Sequence, residues 1–165
     1  MDHIRKMFDR YPSQGRVAEV MLRYGICEKN GKAFCGDVEI ADSALARSAG
    51  VDRRVVRSTL ERISSTSELD AVFSNLRPIL MLDRIASEID CSVIEIVPSD
   101  ATMPGILADV ASVIYSAGLS VRQAVVDDNG ERKDSQLIIV VDGQIPAELI
   151  PLLRKCRGVS GINIR

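Results

Sequence analysis

The sequence predicts an α+β protein made of two small units: a helical amino-terminal half, and a carboxy-terminal half whose elements run β, α, β, β, α, β. Three observations carry this expectation. Val93 to Gly130 reads as strand, Pro-Gly turn, helix, strand and hairpin, and Ile40 to Ile63 reads as two short helices about a glycine. A chain of 165 residues with 46% hydrophobic content has enough apolar side chains for folded cores, and its length suits two small domains better than one. The expected boundaries are a first domain over residues 1–76, a connecting segment over 77–90 and a second domain over 91–165.

From the amino terminus, Ile4, Met7, Phe8 and Tyr11 have the spacing of a first amphipathic helix ending before Pro12. Val17, Val20, Met21 and Tyr24 predict a second, capped by Ser13 and ended by Gly25. Asn30-Gly31 is a turn, and Ala33 to Ile40 reads as a short strand or a hairpin of the winged type. Leu45, Ala46 and Ala49 give the next helix an apolar face, Gly50 permits a turn, Val51 anchors it, and Asp52 can cap the helix that follows. In that helix Val56, Leu60 and Ile63 face inward. This leaves Arg54, Arg57 and Ser58 outward, with Arg53 at the flank of the first turn and Arg47 on the helix before it. Ser64 to Glu68 stops the helix, Leu69 to Leu76 forms a short apolar-faced segment, and Arg77-Pro78 breaks it. Ile79, Leu80, Leu82, Ile85, Ala86 and Ile89 are too many apolar residues for a bare linker, so a packed connecting helix is expected.

In the second half Val93, Ile94, Ile96 and Val97 form a β-branched run that stops at Pro98 and Ser99-Asp100. Pro104 suits a first helical position, and Gly105 permits close approach of a backbone or ligand. Ile106, Leu107, Val110, Val113, Ile114 and Ala117 make an apolar helical stripe ending at Gly118. Leu119 to Asp127 is the next strand, with Leu119, Val121, Gln123 and Val125 expected on one face. It ends at the hairpin signal Asp128-Asn129-Gly130, and Leu137 to Val141 pairs back. Ile145 to Arg157 is the second helix, where Pro151 implies a kink or a late start, and Ile162 to Ile164 is the last strand.

Pro104-Gly105-Ile106-Leu107 followed by Ala117-Gly118-Leu119-Ser120-Val121, in this element order, resembles an ACT domain, and the resemblance covers Cys91 to Arg165. It implies a ferredoxin-like fold that binds an amino acid or related small metabolite at an interface between two copies. Thr102 stands where many ligand-binding members carry Asp or Asn, and Ser120 where some carry Asn. The implied ligand site comprises Asp100, Thr102, Met103, Pro104, Gly105, Ile106 and Leu107, with Ser120, Val121, Arg122 and Gln123 completing it from a neighbouring chain. Upstream, Ile40 to Ile63 resembles a helix-turn-helix. Its Arg47, Arg53, Arg54, Arg57 and Ser58 are the expected contacts to double-stranded DNA, because a guanidinium can grip a phosphate or the paired acceptors of guanine. Together the halves resemble archaeal-type helix-turn-helix plus ACT regulators of amino-acid metabolism. The alternative is an assembly protein that regulates a metabolic enzyme through its ACT domain without touching DNA.

Composition narrows the function classes. No Trp and 4% aromatic residues argue against single-strand binding by base stacking. Residues 1–88 hold 14 Lys and Arg against 13 Asp and Glu, and residues 89–165 hold 7 against 10. Neither half is strongly basic, so duplex affinity must come from a local arginine cluster and from two copies acting together, in a homodimer or higher assembly. The lone His3, with no phosphate loop or dinucleotide fingerprint, argues against an enzyme or a bound cofactor. Asp100, Asp127, Asp128, Asp134 and Asp142 could suggest an acid site, but most sit at strand ends or turns, where Asp ordinarily caps or solubilises. Cys27, Cys35, Cys91 and Cys156 lack metal-ligand spacing and read as small buried residues of a reducing cytoplasm, with Cys27 and Cys35 the pair to consider as a redox sensor. No membrane span or signal peptide is expected.

Overall fold

The computed structural model describes residues 2–127 and 135–165. The chain divides into two units, Met1–Leu80 and Met81–Arg165. The expected Asp128-Asn129-Gly130 hairpin and Asp134 lie outside the described residues.

In the first unit α1 (Asp2–Lys6) is shorter than its apolar spacing suggests. Tight turns follow it, closed by bonds such as Phe8 N–H to Arg5 O and Tyr11 N–H to Phe8 O. They bury Ile4 and Phe8 and leave Tyr11 exposed. Pro12 opens α2 (Pro12–Tyr24), where a fixed φ and a missing N–H cost nothing, so Ser13 lies inside the helix and does not cap it. Gly25 ends α2 at φ +62, and a Cβ there would stand 2.3 Å from Arg77 O.

An antiparallel meander follows: β1 (Ile26–Lys29), β2 (Lys32–Cys35) and β3 (Val38–Ile40). Strand structure therefore begins earlier than the expected Ala33 to Ile40. The β1–β2 turn places Asn30 and Gly31 at positive φ, and buried Glu28 accepts the Gly31 N–H through Oε1 at 2.5 Å. Cys35 pairs with Ile26 and Cys27 with Phe34. Neighbouring strand residues point to opposite faces, so Cys27 and Cys35 cannot meet as a redox pair. The sheet precedes α3 (Asp42–Ala49), α4 (Arg53–Ser65) and α5 (Ser67–Phe73). Val17, Met21, Leu45, Val56, Leu60, Ile63, Leu69 and Phe73 form the core of this helix-turn-helix unit.

The second unit has the anticipated βαββαβ order: β4 (Cys91–Pro98), α6 (Ile106–Ser116), β5 (Val121–Asp127), β6 (Gln136–Asp142), α7 (Leu149–Arg154) and β7 (Val159–Ile164). The strands are antiparallel in the order β5-β6-β4-β7, which is the ferredoxin-like arrangement. Ile94, Ile96, Leu137, Ile139 and Val141 face α6 and α7, where they meet Val110, Ile114, Leu149 and Leu153. The opposite face, with Cys91, Val93, Ile138 and Val140, is covered by Met81, Leu82 and Ala86. The expected connecting helix over 77–90 is therefore corrected: its only helical piece is a 3-10 turn, Ala86–Ile89, and of its apolar residues Met81, Leu82 and Ala86 pack on the sheet while Ile79, Leu80, Ile85 and Ile89 are exposed. α7 begins late, leaving Pro151 in the first turn, where no helical N–H partner is lost.

Candidate functional site

The first candidate surface is built by the α3–α4 pair. Gly50 adopts φ +63, its N–H closes α3 onto Ala46 O and Arg47 O, and Val51 N–H returns to Ala46 O. Asp52 then caps α4, its Oδ1 accepting the Arg54 N–H at 2.8 Å. Burial of Val56, Thr59, Leu60 and Ile63 fixes the roll of α4, which leaves Arg53, Arg54 and Arg57 exposed; Arg47 on α3 is exposed as well. Arg47, Arg53 and Arg54 have no side-chain partner among the described residues. Arg57 pairs with Asp42 at 3.5 Å yet stays 71% exposed. Arg53, Arg54, Arg57, Ser58 and Glu61 line an open depression of about 210 Å³.

Ser58 does not share the arginines' outward aim. Its hydroxyl donates to Val55 O and accepts from Gln14 Nε2 at 3.2 Å, which ties α4 to α2. The fourth arginine of α4, Arg62, is also spent inside the unit. It lies 4.1 Å from the centre of the Tyr11 ring and donates to Met7 O at 3.2 Å.

The second candidate surface is the bend between β4 and α6. α6 starts at Ile106 with Gly105 as its N-cap at φ +93, so Pro104 lies two places before the first helical position it was expected to fill. Several amides of the bend are already used. Ser99 N–H reaches Gly158 O, Met103 N–H reaches Asp100 O, and Asp100 Oδ1 takes both the Thr102 N–H at 2.8 Å and the Thr102 hydroxyl at 2.7 Å. These two bonds, the hydroxyl's first, hold the Asp100 carboxyl below its ordinary range. The N–H groups of Gly105, Ile106 and Leu107 stand at the start of α6, ahead of the first helical bond, which Asp109 N–H makes to Gly105 O.

Met103 and Ile106 turn inward. A Cβ on Gly158 would come within 2.9 Å of Met103 Sδ and of Ile106 Cγ1, so these side chains close the inner side of the bend, while Thr102, Pro104, Gly105 and Leu107 stay exposed. Sequence reasoning missed Arg157. Its guanidinium pairs with Asp109 at 3.7 Å and would lie 3.4 Å from a Gly105 Cβ, so the open amides have a cation beside them. Arg157 and Gly105 are 52 positions apart in the chain, and only the fold joins them.

On β5 the four expected residues separate. A bulge between Val121 and Gln123 pairs Val121 with Val141, on the helix side, and Gln123 with Val140, on the strapped side. Gln123 Oε1 accepts the Leu82 N–H at 2.9 Å, so it is engaged within its own chain. Ser120 and Val121 are exposed, and Arg122 pairs with Asp142 at 3.3 Å. Burial raises the Cys91 and Cys156 thiols, with further pressure from Asp142 and Asp109, which opposes thiolate reactivity. Among the described residues no acidic, His or Cys cluster could hold a metal, and no helix is long and apolar enough to cross a membrane.

No family model and no curated protein matches the chain. Solved structures of slight likeness include the following three. The leucine response regulatory protein LrpA of Mycobacterium tuberculosis is 16% identical over 93% of this chain and 86% of its own, with a TM-score of 0.27. E. coli AsnC is 14% identical over 93% and 89%, with a TM-score of 0.27. A chain from the complex of the CheA P2 domain with CheY of Thermotoga maritima is 12% identical over 46% and 95%, with a TM-score of 0.37. Superpositions this slight assign neither family nor function.

Proposed function

We propose that the chain is a cytoplasmic DNA-binding transcriptional regulator controlled by an amino acid or related small metabolite, with a sensor unit of the ACT type. The observation that carries this reading is α4: its apolar face is fully spent in the core, while Arg53, Arg54 and Arg57 project from the other side. A helix of about 10–12 Å diameter fits a major groove about 12 Å wide, and arginine suits both guanine edges and phosphates. Arg47 on α3 extends the cationic surface.

In the sensor unit the ligand's carboxylate would take the Gly105, Ile106 and Leu107 amides, with Arg157 beside them. Asp100 and the exposed rim at Thr102 would meet its ammonium or side chain. Two such units would pair along their sheet edges, so that Ser120, Val121 and Arg122 of a second copy complete the pocket. Ligand would then bias the spacing of two α4 helices, a coupling of about 1–3 kcal/mol.

Two experiments test the reading. Arg54→Ala combined with Arg57→Ala should abolish salt-dependent duplex binding; unchanged binding would remove α4 from the interface. A thermal-shift panel of the amino acids should give one preferred ligand, since binding to the folded state at about a hundred times Kd adds about 2.7 kcal/mol. If all twenty leave the transition unmoved, the amino-acid assignment is wrong.

A further inference from the structure

Beside α4, on the side away from Glu61, lies a depression of about 400 Å³ lined by Gly31, Lys32, Glu39, Asp42, Ser43, Arg53 and Arg57. It brings together the tip of the β1–β2 hairpin, the start of α3 and the outer row of α4. Arg53 and Arg57 border both depressions, so they form a ridge between them.

We propose that the hairpin tip, through Lys32, is a second contact to duplex DNA, directed at the sugar-phosphate backbone. This rests on the reading that α4 lies in the major groove. If a helix fills that groove, whatever stands beside it meets the groove wall, which is phosphate. The hairpin tip stands there. A Cβ added to Gly31 would meet nothing within 4 Å, so the approach to the tip is open.

The two carboxylates of the depression determine how the contact works. Glu39 Oε2 holds Lys32 at 2.8 Å, and Asp42 Oδ2 holds Arg57 at 3.5 Å. Lys32 and Glu39 are 57% and 50% exposed, so theirs is a surface pair worth about 0–1 kcal/mol. A phosphate can therefore take Lys32 from Glu39 at small cost. Without DNA the carboxylates keep these cations extended over the depression, and with DNA they repel a phosphate that is out of register.

The test titrates the full chain with a fluorescent random-sequence 20-base-pair duplex and follows anisotropy from about 25 to 200 mM KCl. Each phosphate contact contributes about 0.9 to the slope of log K against log salt, so Lys32→Gln should reduce the slope by about one. Lys29→Gln is the control. It makes the same charge change on the same hairpin, but Lys29 Nζ turns to Gly36 O and the Phe34 ring, so its slope should match the unsubstituted chain. Glu39→Gln should tighten binding about two- to five-fold by releasing Lys32. If Lys32→Gln leaves the slope unchanged while the Arg54/Arg57 double variant loses binding, the hairpin contact is wrong and the α4 reading stands. Equal slope losses from Lys29→Gln and Lys32→Gln would also overturn the contact, by showing a diffuse charge effect. Full binding by the double variant would overturn both.

Discussion

Gly158→Ala should destabilise the second unit far more than an alanine substitution ordinarily does, because two independent costs meet at that residue. Gly158 has φ +79, which an L side chain adopts at a cost of about 1–2 kcal/mol. Its missing Cβ also leaves the space taken by Met103 Sδ and Ile106 Cγ1, each 2.9 Å from where the new atom would stand. The thioether can swing aside, but Ile106 is buried in the core with Val110 and Ile114 and cannot do so without moving α6. Overpacking of this kind costs about 1–3 kcal/mol, so the sum is about 2–5 kcal/mol. Gly118→Ala is the matched control, with φ +71 and nothing within 4 Å of the added carbon. It should lose only the backbone cost of about 1–2 kcal/mol. Urea unfolding followed by circular dichroism compares the two, and any entropy lost from the unfolded chain cancels between them. If both variants fall within about 0.5 kcal/mol of each other, Met103 and Ile106 are not what closes the bend, and the inner wall of the candidate ligand site has been drawn wrongly.

Two further outcomes follow from local geometry. Asp52→Ala should cost about 1 kcal/mol by removing the α4 cap, whereas Asp52→Asn should retain most of it; equal losses in thermal unfolding would mean the cap contributes nothing. Thr102→Val should raise the Asp100 pKa back toward its ordinary value of 3.8, read by carbon-13 NMR titration, since the Thr102 hydroxyl is the main cause of its depression. Because the folded value is the lower one, the stabilisation from Asp100 is complete above the ordinary value and disappears as pH falls through the folded one, so the two chains should differ in stability near neutral pH and converge in acid. Identical titrations would refute the bonding at Asp100.

Much of the fold was legible because its periodicities are local. Val56, Leu60 and Ile63 set the roll of α4, and the β-branched run at Val93 to Val97 marks the central strand; both patterns agree with the core. Ile26–Lys29 was not legible as a strand, since a four-residue segment containing Glu28 looks like loop until the Gly31 N–H is seen to satisfy that carboxylate. In the segment 77–90 a high apolar count does not mark a helix, because Met81, Leu82 and Ala86 need only reach one sheet face. At the candidate sites, local pattern identified the exposed arginines and the Pro-Gly bend. It could not show that Gln14 claims Ser58, that Leu82 claims Gln123, that a bulge separates Val121 from Gln123, or that Arg157 reaches Gly105. Each of these joins residues far apart in the chain or depends on an irregularity with no periodic signature.

The most direct measurement of the central claim is a nitrogen-15 NMR titration of the full chain with duplex DNA at low salt. The account predicts that the largest shifts fall on the amides of Arg53 to Ser58, with smaller ones at Gly31 and Lys32, and that they vanish in the Arg54/Arg57 double variant. Shifts confined to the second unit, or none at DNA concentrations well above about 10⁻⁴ M, the weak end of ordinary non-specific binding, would contradict it.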